Sequence, residues 1–148
     1  MPTIKSALMA ALKTALGTIP ELKRVTRVKA WPVELDTTPL PALFFFDEGE
    51  DITWLPGRAQ ATLSLVTWVF ANLTPKGPTS FNDVADLMQA RVHDVLVSMI
   101  RPEAAGAYFL KMDSETVRKD LPNDVLGVLV MTHHLTYAHV WGNSSLRP

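Results

Sequence analysis

The side chains best suited to chemistry lie in two places. His133, His134 and His139 share one apolar run, and imidazole is a common zinc ligand. On a single strand, however, His133 and His139 would point the same way at roughly 20 Å separation, with His134 on the opposite face. That spacing suits histidines bonding locally on a half-buried strand better than a metal site. Asp47, Glu48, Glu50 and Asp51 could hold a hard cation through oxygen, but DEGED with its single glycine does not match the spacing of a calcium loop. A solvated hairpin turn is the plainer reading. Ser64, Ser80, Ser98 and Ser114 have no G-x-S-x-G surroundings, and no glycine-rich phosphate loop occurs. Arg58, in the run Gly57 to Gln60, is too little to define an anion site. No catalytic, cofactor-binding or metal-ligating set emerges, so neither enzyme activity nor a cofactor is expected.

The tryptophans carry more information. Trp31, Trp54, Trp68 and Trp141 lie outside any helical stripe, where large aromatics serve as core or interface anchors. For Trp54 and Trp68 both uses are open.

Composition narrows the class. A chain of 148 residues suits one domain, and 47% hydrophobic with 20% charged residues is a globular composition with a generous apolar share. Fourteen basic against fifteen acidic side chains lack the footprint of a dedicated nucleic-acid-binding domain. The absence of cysteine excludes disulfides and thiolate chemistry and fits folding in a reducing cytoplasm. Lys5 and Lys13 interrupt the apolar residues near the N-terminus, which therefore does not read as a signal peptide. No run approaches the ~20 apolar residues needed to cross a bilayer, so no membrane partner is expected. The Asn72-Leu73-Thr74 sequon reads as accidental.

The elements that must position these residues follow from periodicity and punctuation. Thr3 caps a helix in which Ile4, Leu8, Ala11, Leu12, Ala15 and Leu16 share one face, and Gly17 and Pro20 end it. Arg24 to Ala30 reads as a short strand near an edge. Pro32, Pro39 and Pro41 make the next stretch an extended link. Ala42 to Phe46 is a strand apolar on both faces, followed by the acidic turn and a second break at Pro56-Gly57. In the long strand from Ala59 to Ala71, Ala61, Leu63 and Leu65 share one face, whereas Val66, Trp68 and Phe70 share the other. The apolar side therefore switches midway, through a bulge or because one half meets a partner chain.

After a break at Thr74 to Pro78, Ser80 and Asp83 resemble a capping box. The helix beyond carries the stripe Phe81, Val84, Leu87, Met88, Val92, Val95 and Met99. Ala107 to Met112 is expected as a strand, Asp113 to Asp124 as a polar turn, Leu126 to Trp141 as one long strand, and Gly142 to Pro148 as an unanchored tail. This order predicts a single α+β domain with a mainly antiparallel β-sheet and two principal α-helices packed on one face.

In layout, the chain resembles the tail terminator proteins of long-tailed bacteriophages, the class that includes the minor tail protein capping the phage lambda tube. The resemblance rests on the helix IKSALMAALKTAL, the strand RVTRV and the proline-rich link into PALFFFDEGED. It continues through ATLSLVTWVF, the helix FNDVADLMQARVHDVL and the closing strand GVLVMTHHLTYAHV. It implies a non-enzymatic virion protein at the head-proximal end of the tail, assembled in the host cytoplasm as a homo-oligomer, a hexameric ring. Such a ring stops tube polymerisation and joins the tail tube protein to a neck or head-completion protein, and DNA only passes through it.

On this resemblance, Trp54, Leu55, Val66, Trp68 and Phe70 become candidate subunit contacts. Asp47, Glu48, Glu50, Asp51 and Arg58 become inter-ring or lumen residues, and the loops Trp31 to Pro41 and Asp47 to Gly57 are candidates for contacts between rings. The alternatives are a neck or head-completion protein of the same virion class and a small cytoplasmic enzyme or ligand-binding α+β domain.

Overall fold

The computed structural model describes residues 3–28, 39–73, 80–100, 109–122 and 125–140. Two helices, α1 (Ile4–Leu16) and α2 (Phe81–Ser98), accompany five strands: β1 (Arg24–Arg27), β2 (Ala42–Leu55), β3 (Arg58–Asn72), β4 (Lys111–Asp120) and β5 (Leu126–Val140). The strands form one sheet in the order β1-β2-β3-β5-β4. Only the β1–β2 pair is parallel, and β1 is at an edge as expected. The fold is α+β, with both helices on one face of a mainly antiparallel sheet.

Each helix starts where the sequence places a cap. The Thr3 hydroxyl accepts from the Ser6 N–H and the Ser80 hydroxyl from the Asp83 N–H, each satisfying one amide that the first turn leaves without a partner. α1 buries Leu8, Met9, Leu12 and Leu16; α2 buries Phe81, Ala85, Met88, Val92 and Leu96. The α2 stripe is rotated from the expected one: Ala85 and Leu96 point inward, while Leu87 is 41% exposed. Small Ala85 lets the helix approach the sheet closely. Such an approach also explains Gly127 on β5, where a Cβ would fall 2.6 Å from the Phe81 ring.

The sheet face beneath the helices is one continuous apolar row on β3, comprising Ala59, Ala61, Leu63, Leu65, Val69 and Ala71 with only Thr67 interrupting. Leu43 and Phe45 of β2 and Leu129, Met131 and Leu135 of β5 widen it into the main core. The expected switch of apolar face is therefore corrected. The helix-side row never stops, and β3 runs opposite β5 without interruption from Arg58 to Asn72. What changes after Ser64 is the other face, which turns apolar as well. There Val66 and Phe70 join Ala42, Phe44, Val128 and Val130 in a second cluster, against which Val28, Leu40, Phe46 and Trp68 pack.

Two expected turns are strands. Asp47 to Asp51 lies within β2, where a bulge at Glu48 shifts the register between Asp47 and Gly49, so the hairpin turns at Pro56-Gly57 instead. Gly57 has φ 75°, and proline followed by a left-handed glycine is what a type II turn requires. The polar stretch after Lys111 is the ten-residue edge strand β4, whose register also shifts, between Met112 and Ser114. A charged edge strand that buries little on either face lacks the alternation that marks a strand. Of the expected strand Ala107 to Met112, residues 107–108 lie outside the described residues, Phe109 makes an isolated bridge to Ile100, and Lys111 and Met112 open β4. Residues 29–38, including Trp31, residues 74–79 and residues 141–148, including Trp141, likewise lie outside the described residues. None of the described helices is long and apolar enough to cross a membrane.

Candidate interaction surface

The β2–β3 hairpin is longer than the layer beside it. β1 pairs only with Ala42 to Phe45, and no described strand flanks β2 on that side from Asp47 onward. On the other side β5 stays paired with β3 as far as Arg58, so the hairpin end forms an arm of three strands whose β2 edge has no described strand beside it. On it Ile52 and Trp54 share the helix-side face with Ala61 and Ala59, their cross-strand partners, yet they are 44% and 58% exposed. Leu55, on the opposite face beside the turn, is half-buried, and Arg58 is exposed. An exposed tryptophan next to an exposed isoleucine, on a strand with no described strand along one edge, is the kind of apolar feature that protein partners cover.

The acidic residues secure the root of this arm. Asp47 Oδ2 meets Lys5 Nζ of α1 at 2.8 Å, and its Oδ1 accepts from Arg27 of β1 at 3.2 Å. Burial would raise the Asp47 pKa, but the bonds and charges of Lys5 and Arg27 outweigh it and hold the carboxyl below the ordinary aspartate range. Glu50 lies 3.8 Å from Lys5 and accepts a 2.7 Å hydrogen bond from the buried Tyr137 hydroxyl. Burial and this carboxylate push the Tyr137 pKa up, so the phenol remains a donor. Asp47 and Glu50 thus tie α1 and β1 to the hairpin. Glu48 and Asp51 are exposed, so the four carboxylates do not converge.

The five candidate contact residues also separate. Trp54 and Leu55 lie at the arm, whereas Val66, Trp68 and Phe70 lie on the opposite face of the sheet's other half, with Trp68 about 30 Å along the strand from Trp54's cross-strand partner Ala59. Phe70 is 0% exposed, with its ring edge-on to Phe44 at 5.8 Å, and Val66 is 5% exposed. Both are core within the chain, which corrects the expectation that they present a contact face. Trp68 is half-buried against Phe46, their rings 4.9 Å apart.

Other polar contacts were not legible in the sequence. Ser64 Oγ lies 3.0 Å from His134 Nδ1, a separation suited to a nucleophile and base. Both sit on central strands, next to the register shifts that β2 makes before Gly49 and β4 makes before Ser114. Beside them the Thr136 hydroxyl donates to Asp113, and the Thr62 hydroxyl donates to Thr136. The Thr136 bond, with Lys111 nearby, lowers the Asp113 pKa. This row is a hydrogen-bonded polar surface. Among the described residues no three histidine or carboxylate side chains converge in a metal-binding arrangement.

No family model matches the chain, and no curated protein matches it.

Proposed function

We propose that this chain is a structural virion protein that forms a ring at the head-proximal end of a phage tail tube, stops tube growth and presents the surface that joins the head or neck. The observation carrying this reading is the arm, an apolar strand surface at Ile52 and Trp54 on a hairpin braced at its root by Lys5, Arg27 and Tyr137. The resemblance of the sequence layout to that of tail terminators adds to it. A braced arm can enter a neighbouring subunit with little loss of conformational freedom, because its position is already fixed.

Repeated head to tail, a contact between the arm of one subunit and a different surface of the next closes into a ring. One ring face then meets the last ring of tube subunits, while the other lacks the tube's polymerising surface and receives the neck protein. The exposed carboxylates of Glu48 and Asp51 would repel DNA if they lined the passage, letting it move without sticking.

Electron microscopy of the purified protein, alone and mixed with tail tubes, tests the reading. Uniform rings and capped tube ends are expected. A monomer at high concentration that leaves tube ends bare overturns it.

A further inference from the structure

His133 occupies the middle of β5 on the helix-side face and is fully buried, yet neither ring nitrogen has a hydrogen-bond partner among the described residues. Its cross-strand partner on β4 is Glu115, whose Oε1 lies 3.4 Å from His133 Nε2. The other oxygen, Oε2, lies 3.1 Å from Nδ1 of His93 on α2. One carboxylate on an edge strand thus stands between an imidazole sealed in the core and another on the overlying helix.

The remaining charges are placed elsewhere. β3 contributes Leu65 beside His133; beyond it on β2, Asp47 is held by Lys5 of α1 and Arg27 of β1. On α2, Arg91 pairs with Glu21, and Asp86 pairs with Lys119 of β4. His134 points to the opposite face and bonds Ser64. Glu115 is therefore the only carboxylate within ion-pair distance of the His133 ring among the described residues.

We infer that His133, Glu115 and His93 form a proton-operated latch, in which uptake of a proton by the buried His133 ring releases edge strand β4 from the sheet. A charged imidazolium needs water or several acceptors, and its site offers one poorly aligned carboxylate oxygen. Among the described strands β4 pairs with β5 alone, so peeling it away, at the cost of the Lys119–Asp86 and Glu115–His93 contacts to α2, is the least disruptive route to water.

Burial depresses the His133 pKa, and the Glu115 charge opposes this only in part. The unfolded chain therefore binds more protons than the native one. Stability is complete above the ordinary histidine value of about 6.5 and is lost as pH falls below it toward the native value.

Amide hydrogen exchange on the full chain, corrected for intrinsic rates and compared at pH 7.5 and 5.5, tests the latch. Protection across β4 should fall by up to about tenfold, the limit for one proton over the pH unit below 6.5, while α1, β1 and β2 hold theirs. His133→Phe should abolish that pH dependence. Glu115→Gln should keep the loss at pH 5.5 or deepen it toward the same limit, because it removes the charge that favours the imidazolium, and this variant decides the matter if His133→Phe does not fold. Unchanged protection of β4, a uniform loss over the whole sheet, or a pH effect that survives His133→Phe overturns the inference. So does a smaller loss in Glu115→Gln.

Discussion

The two ends of the β2–β3 pair share their strands and have opposite surroundings. At the end containing Ala42 to Phe45 and Val66 to Ala71, both faces are apolar, and every residue except the half-buried Trp68 is sealed within the chain. At the hairpin end, Asp51 to Trp54 are exposed, and the helix-side face of β2 carries Ile52 and Trp54 where the first end carries Leu43 and Phe45. Strand hydrophobicity alone does not mark an interface. Exposure must accompany it, and Trp54 is 58% exposed where Phe70 is fully buried.

Substitutions at the two ends should separate folding from association. The largest effect on stability is expected for Phe70→Ala, which removes a fully buried ring packed on Phe44 and should cost about 3–5 kcal/mol in denaturant unfolding. A loss below 1 kcal/mol would mean that this cluster is not core. Gly127→Ala pushes a methyl group into the Phe81 ring and should cost about 1–3 kcal/mol, read as a lowered melting midpoint. Thr67→Val should act in the opposite direction. Its hydroxyl is buried without a hydrogen-bond partner among the described residues, so the substitution should stabilise the chain by about 1 kcal/mol, and a destabilised variant would point to an unrecognised acceptor. Smallest for folding is Trp54→Ala at the arm, expected to change unfolding free energy by less than about 1 kcal/mol while disrupting association.

The sequence exposed this contrast unevenly. Both helices were legible because Thr3 and Ser80 sit where caps belong and apolar residues recur behind them. β4 was hidden because its ten residues contain only Met112 and Val117 as apolar side chains, and the register shift after Met112 breaks their alternation. The acidic run hid the continuity of β2 because its carboxylates are satisfied by Lys5, Arg27 and Tyr137, partners distant in sequence. Val66 and Phe70 read as contacts instead of core for a similar reason. Thr67 interrupts the helix-side row and hides Val69 and Ala71 as its continuation. Trp54 was legible only as either a core or an interface residue, and its exposure is seen only in the fold. The His93, Glu115 and His133 cluster gave no signal, since Glu115 fell in a segment read as a turn.

The central claim is that the arm around Trp54 joins this chain to its neighbours, and sedimentation velocity of the wild-type protein beside Trp54→Ala tests it most directly. The account predicts a closed oligomer of fixed mass for the wild type and a folded monomer for the variant. A wild-type monomer at every concentration, or a variant that assembles as the wild type does, would contradict it.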